Sequence, residues 1–377
     1  MQHRTSLDQI QPYRPARSQE SLRRDSRSPD IVRLAGNENN LGHSPLVLDA
    51  LAAATAGIHR YPDPACTRLR LRLAEKLAVA PNQIVFGDGS FELLSLVAQT
   101  FLNPGEEAIV PEPSFRWYKV ATWAMDGRVV SVPLRAHRTD LDAILGAVSA
   151  RSKLVWICNP QNPTGTSLRH GELVTFLKRL PSSILVVLDE AYIEYADAPE
   201  RPDALLLMSE FPNVVSLRTF SKLYGLAGLR IGYGIGQPQL IAAVDKVRPP
   251  INVNHLAQVA ALAALDDSAF VRSVLDNNAA AKEAYARVCA ELGMTFIPTQ
   301  ANFIMVDTGR DGDEMSNLFL QHGILLRSGV EFGMPTWLRI TLGTVADNEK
   351  VFAVLRKVAD RQTRPAARPS NGSHLDA

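Results

Sequence analysis

The chain has 377 residues, 46% of them hydrophobic and 21% charged, with a formal net charge of +1 at pH 7. That is the balance of a soluble globular protein long enough for two domains, and it leaves no strong field to attract nucleic acid or an anionic membrane. No apolar run approaches the length of a membrane span, and three scattered cysteines, Cys66, Cys158 and Cys289, suit a reducing cytoplasm better than a disulfide framework or a metal site.

Residues 1–30 are rich in Arg, Ser and Gln, lack an apolar h-region and carry Asp8, Glu20, Asp25 and Asp30, which argues against a targeting peptide. The chain up to Gly57 reads as an extended arm and one helix. From Gln83 to Gly236, short apolar runs alternate with helical stretches. The strand candidates are QIVF, EAIVP, RVVSVPL, KLVWIC, ILVVLD, NVVSL and LRIGYG; between them, SFELLSLVAQTF and RHGELVTFLKRL carry apolar residues at helical spacing. This alternation predicts an α/β fold, a mostly parallel sheet covered by helices on both faces, with LRIGYG the candidate for an antiparallel exception. From Leu256 a long alanine-rich helical stretch is expected to run toward Leu292. Strands ANFIMVD, GILLRS and WLRITLG follow, then a last helix from Asp347, which together read as a smaller α+β domain. The expected division is an arm with its helix over 1–57, a large domain over 58–265, a small domain over 266–360, and a disordered tail over 361–377.

Four stretches carry candidate chemistry. In QIVFGDGSFELL a strand runs through Gly87-x-Gly89-Ser90 into a helix, which reads either as an anion site on the helix N-terminus or as a plain tight turn capped by Ser90. Glu92 stands where a dinucleotide fingerprint needs its third glycine, so a nicotinamide-dependent oxidoreductase is disfavoured. NPQNPTG, Asn159 to Gly165, makes a stiff loop past the C-terminal end of a strand, the edge where parallel sheets bind ligands. Asp189 ends the apolar strand ILVVLD. It reads either as a helix cap or as a buried carboxylate that requires a cationic partner, and Tyr192 follows within one turn. Lys222 sits between Ser221 and a glycine-rich run that leads to Arg230.

A lysine among glycines, a buried aspartate, a stiff Asn loop and an anion-binding turn are the parts that pyridoxal 5'-phosphate requires. Lys222 can bond to the cofactor aldehyde. Ser90, Ser221 and Arg230 can hold its phosphate, Asp189 can keep its ring nitrogen protonated, and Asn162 and Tyr192 can donate to its phenolate oxygen. A lone loop lysine is ordinarily a solvated surface charge; the four parts together argue against that here.

The motifs PYRPAR, LAGNENNLG, RYPDP, GDGSFE, NPQNPTG, DEAYIEY, RTFSKLYGLAGLRIGY and GMPTWLRITLGT resemble the class I/II aminotransferases, most closely the histidinol-phosphate branch, over nearly the whole chain to about residue 360. The resemblance implies the fold type I transferase architecture, with a seven-stranded large domain and a smaller α+β domain. It implies Lys222, Asp189 and Tyr192 as catalytic residues, and a cofactor site of Gly89, Ser90, Phe91, Phe115, Asn162, Thr219, Ser221 and Arg230, with Phe115 stacked on the ring. Tyr61 would reach the cofactor phosphate of a second subunit, so a homodimer with shared sites is expected, with the arm packed on the small domain and the partner. Tyr13, Asn37, Arg327 and Arg339 would bind the substrates, an amino donor and a 2-oxo acid, and the reaction implied is transamination of histidinol phosphate with 2-oxoglutarate in histidine biosynthesis. Phe91 stands where the branch commonly has an acidic residue, and Asn40 where it commonly has proline. Relatives that use aromatic or specialised amino acids, or that catalyse decarboxylation, elimination or cyclisation, share the lysine and the aspartate. A non-catalytic relative would have lost one of them.

Overall fold

The computed structural model describes residues 3–12 and 31–363. Tyr13 and most of the expected tail, 364–377, lie outside the described residues. Among the described residues there are thirteen strands: β1 (Val32–Arg33), β2 (Ile84–Gly87), β3 (Glu107–Glu112), β4 (Arg128–Pro133), β5 (Ser152–Cys158), β6 (Leu185–Asp189), β7 (Val214–Thr219), β8 (Gly232–Gly236), β9 (Phe296–Ile297), β10 (Phe303–Asp307), β11 (Ile324–Leu325), β12 (Arg327–Ser328) and β13 (Trp337–Thr341).

Seven of these form one sheet in the order β2-β8-β7-β6-β5-β3-β4. All seven correspond to the expected strands. β8 runs antiparallel to both its neighbours, and the remaining pairings are parallel. The reason lies in the connection. Between Thr219 and Gly232 the chain has only a 3-10 turn, Ala227–Leu229, and no crossover helix, so it doubles back.

The period-2 pleat sends alternate residues to opposite cores. Ile84, Phe86, Val155, Ile157, Val186 and Leu188 face one core. Val85, Leu154, Trp156, Val187, Val215 and Leu217 face the other, with helices Gly89–Phe101 and Trp117–Ala124 packed over them. By this alternation Asp189 projects to the same side as Val187, and Glu190 to the opposite side.

A four-stranded antiparallel sheet, β12-β13-β10-β9, covers a third core that includes Tyr285, Phe319 and Phe352. The expected strand GILLRS is in fact two. Its first half, β11, pairs in parallel with β1 of the arm, and its second half, β12, pairs with β13. Leu34 of the arm is fully buried in this third core, and Asn40 donates to Arg33 O (3.4 Å) and Asp347 Oδ2 (3.3 Å), tying the arm to the last helix.

The long helical stretch expected from Leu256 toward Leu292 consists of two helices, His255–Asp266 and Ser268–Glu291. Asp267 leaves helical geometry to cap the second, accepting from Phe270 N (2.9 Å) and from Ser44 Oγ (2.5 Å) of the arm region. The last helix starts at Val345, two residues before the expected Asp347, because Thr344 and Asp347 cap it reciprocally. It runs to Thr363, three residues into the segment expected as tail.

Candidate active site

The C-terminal ends of β5, β6 and β7, the start of helix Gly89–Phe101, the arm and the small sheet open onto one cavity of about 1130 Å³. Every expected cofactor residue of this chain except Gly89 and Tyr61 lines it, and so do Asn37, Arg327 and Arg339. Tyr61 is 88% exposed and does not line the cavity.

Helix Gly89–Phe101 begins at Gly89, with Asp88 in the cap position, so Ser90 is not the cap. Glu92 instead closes the turn, accepting from Asp88 N (2.6 Å) and Asn252 Nδ2 (2.6 Å). Ser90 is left facing the cavity beside Ser221 and Arg230. Gly89 has φ +73°, and a side chain there would run into the Arg230 guanidinium. Arg230 lies over the helix N-terminus, donating to Ala227 O (3.1 Å) and Asp88 O (3.4 Å). Two hydroxyls, a guanidinium and a helix N-terminus are the donor set a phosphate monoester requires.

Asp189, 4% exposed, does not cap the following 3-10 turn, Ile193–Tyr195; Tyr192 holds that position. Its Oδ2 accepts from Tyr118 OH (2.7 Å) and its Oδ1 from Ala191 N (3.2 Å). Burial pushes its pKa up to about 6, against the pull of the Tyr118 hydrogen bond. Lys222 Nζ donates to Gly36 O (3.1 Å) and stands 5.7 Å from the Tyr192 ring centre. Desolvation, helped by the positive charges of Arg339 and Arg230, lowers its pKa to about 8. Thr219 Oγ1 accepts from Ser221 N (3.1 Å) and donates to Ser221 Oγ (2.9 Å), bracing the turn that carries Lys222. Tyr192 OH accepts from Asn37 Nδ2 (3.1 Å) and Asn162 Nδ2 (3.5 Å).

The small sheet contributes two arginines. Arg339 is buried, donating to Asn162 Oδ1 (2.6 Å) and Ala35 O (2.9 Å), with its guanidinium over the rings of Phe332 (5.3 Å) and Phe303 (5.4 Å). Arg327 is its register partner on β12, and Glu331 grips it through Nε and through NH2 (2.6 Å).

Sequence reasoning missed Glu331, although its i,i+4 spacing from Arg327 is a local signal, and Tyr118, whose contact with Asp189 depends on the folded chain. Phe91, the departure from the family pattern, joins an aromatic group: its ring meets Phe115 edge-on at 5.0 Å and Trp117 at 5.0 Å.

Among the described residues there is no group of three or more His, Cys, Asp or Glu side chains that could hold a metal ion, and no helix long and apolar enough to cross a membrane. The family model described as aminotransferase class I and II matches residues 29–355. A histidinol-phosphate aminotransferase from Moorella thermoacetica is 44% identical over 356 residues, covering 94% of this chain and 92% of that protein. Another, from Caldicellulosiruptor saccharolyticus, is 42% identical over 349 residues, covering 93% of this chain and 98% of that protein. Among solved structures, histidinol-phosphate aminotransferase from Sinorhizobium meliloti in complex with pyridoxal-5'-phosphate is similar at a TM-score of 0.87 and 31% identity, over 95% of this chain and 97% of that one.

Proposed function

Since this chain belongs to the class I and II aminotransferases, we propose that it transfers the amino group of histidinol phosphate to 2-oxoglutarate, with pyridoxal 5'-phosphate as cofactor, as a step of histidine biosynthesis. The observation that carries the reading is that Arg327 and Arg339, register partners on adjacent strands, line the same cavity as Lys222 and Asp189, which supports a two-arginine anion site beside an amine and an acid.

The donor set fits the cofactor. Bound pyridoxal phosphate supplies an aldehyde for exchange of amines and a protonated ring that takes up the electron pair left on the substrate carbon. Ser90, Ser221, Arg230 and the first amides of helix Gly89–Phe101 would hold its phosphate. Asp189 would keep the ring nitrogen protonated, Tyr192 and Asn162 would donate to the ring oxygen, and Phe115 would pack against the ring. Lys222 would be the amine that bonds to the cofactor aldehyde and, once free, the base that moves the proton of the substrate carbon. An amine with a pKa near 8 can do both at neutral pH.

Arg339 binds the carboxylate of glutamate, and Arg327, Arg339, Asn162 and Tyr13 gather the phosphate of histidinol phosphate. Tyr61 completes the phosphate site of a second copy of the chain in a homodimer. The test is single-turnover kinetics of each half-reaction: the cofactor band should be consumed by histidinol phosphate and by glutamate separately. Efficient turnover of aromatic amino acids with no response to histidinol phosphate would overturn the substrate assignment and leave the aminotransferase chemistry standing.

A further inference from the structure

Tyr118 is fully buried on helix Trp117–Ala124 and is held from three sides. Its ring stacks on Trp156 at 5.4 Å and 9°. Trp156 Nε1 donates to Thr122 Oγ1 (3.3 Å), which donates to Tyr118 O (2.8 Å), so ring and backbone are fixed to the same neighbours. Phe115 meets the ring edge-on at 5.6 Å, and Phe91 in turn meets Phe115. A ring packed this way sets its hydroxyl between the Cys158 thiol and Asp189, and it donates to Asp189 Oδ2 at 2.7 Å.

The titratable and charged groups around Asp189 come from every element packed on it. They are Tyr118, Cys158 at the paired position on β5, Glu190 and Tyr192 along its own chain, and Lys222 beyond β7. The Cys158 thiol donates to Pro160 O instead (3.1 Å). Tyr118 is therefore the side chain that hydrogen-bonds the carboxylate, and burial raises its own pKa well above the ordinary tyrosine value, so it stays a donor. A hydrogen bond donated to a carboxylate favours its charged form.

We propose that Tyr118 is the positioning residue of Asp189, holding the carboxylate in one orientation toward the cofactor ring nitrogen and keeping it ionised in a site that disfavours charge. This rests on reading the cavity as the pyridoxal phosphate site. Nothing in the proton transfers requires Tyr118; it acts through Asp189.

The test is the affinity of the full-length protein, stripped of cofactor, for pyridoxal phosphate by fluorescence titration from pH 5.5 to 8.5. Tyr118→Phe keeps the ring and removes the hydroxyl. It should weaken binding roughly tenfold at pH 7, the loss of one charge-assisted hydrogen bond, and move the acid limb of the profile up by about one pH unit. In an Asp189→Asn background the same change should alter affinity less than about twofold, because the charge it serves is gone. Incorporating 3-fluorotyrosine at position 118, a stronger donor of nearly the same shape, should move the acid limb down. An unshifted limb in both variants, or an equal loss in the Asp189→Asn background, would make Tyr118 a packing residue and overturn the proposal. Absence of binding by the wild type would overturn the cofactor reading, and the proposal with it.

Discussion

Arg327 and Arg339 stand opposite each other on adjacent antiparallel strands, yet their surroundings differ. Arg339 is buried and fixed by Asn162 and by a carbonyl of the arm, whereas Arg327 is gripped by Glu331, four residues along its own chain. On the proposed reading, Arg339 would be preset for a small carboxylate. Arg327 already holds the Glu331 carboxylate, which an incoming anion would have to displace, and a phosphate dianion, with more charge and more acceptor oxygens, is better able to do so.

This contrast predicts asymmetric damage. Arg339→Ala should slow both half-reactions by roughly 10- to 100-fold, the range for a lost charge-assisted hydrogen bond. Arg327→Ala should slow the histidinol-phosphate half-reaction and leave the glutamate half-reaction within about threefold of wild type, an effect small on the scale of one hydrogen bond. Single-turnover decay of the cofactor band with each donor measures both. Equal losses in the two half-reactions for Arg327→Ala would assign that residue to the sheet rather than to the phosphate.

Lys222 should be the residue that borohydride fixes to the cofactor, identified by mass spectrometry, and Lys222→Ala should lose the adduct together with nearly all transamination. Its pKa, lowered from 10.5 to about 8, adds a pH dependence. Only the neutral amine attacks an aldehyde, so the rate at which cofactor-free protein captures pyridoxal phosphate should rise as pH increases through about 8 and then level off. Stopped-flow absorbance would show it. A rate still climbing toward pH 10.5, the ordinary lysine value, would mean that the amine is not desolvated as described.

Asp189 sets a cost on the cofactor-free protein. Its carboxyl is an ordinary acid in the unfolded chain, at 3.8, and titrates near 6 when folded. Between these values the folded state holds the extra proton, so the group's stabilisation is complete below 3.8 and is lost as pH rises through about 6. The loss is about 3 kcal/mol at neutral pH, an order-of-magnitude figure from two pKa units. Asp189→Asn removes it. Cofactor-free Asp189→Asn should therefore melt at least as high as wild type at pH 7.5, yet bind pyridoxal phosphate more weakly and transaminate slowly. Thermal melts of both proteins at pH 4 and pH 7.5 give the difference. A variant that is less stable at pH 7.5 and active would take Asp189 out of the site.

What was legible in the sequence follows from how each feature is encoded. Strands buried on both faces read as continuous apolar runs, which is why β2, β3, β5, β6 and β7 stand out; the edge strand β4 is mostly exposed and shows only as a β-branched run, and β8 is set apart by its glycines and by the absence of a helix before it. Lys222, Asp189, Ser90 and Asn162 were legible because each lies at the end of such a strand or at a turn. The break at Asp267 was not, since an alanine-rich run favours helix throughout and the cap is completed by Ser44, far away in sequence. The split of GILLRS into two sheets depends on the arm arriving as a partner for β11. Tyr118 was hidden for the same reason. Its hydroxyl meets a carboxylate 71 residues further along the chain, and the local sequence, SFRWYKV, reads only as an apolar helix face.

Tyr61 supplies the last prediction. An aromatic ring 88% exposed is unusual, and Ile58 (65%), Leu48 (56%) and Leu71 (56%), on and beside the neighbouring helices, are exposed as well. In the proposed homodimer these groups would be covered by a second copy, and each Tyr61 would enter the other subunit's cavity. The consequence is complementation. Tyr61→Ala and Lys222→Ala subunits are each expected to make poor dimers, the first through weak cofactor binding and the second through loss of the amine. In a mixed dimer both defects fall in one cavity, and the other cavity is intact. Each mixed dimer has one good site of two, so the isolated mixed dimer should show about half the wild-type activity, and an unfractionated random mixture, half of it mixed dimers, about a quarter. The mixture is prepared by coexpression with two affinity tags, the mixed dimer is isolated, and its turnover is compared with that of each parent. If the isolated mixed dimer is no more active than the mean of its parents, Tyr61 serves its own subunit or none, and the shared-site reading fails.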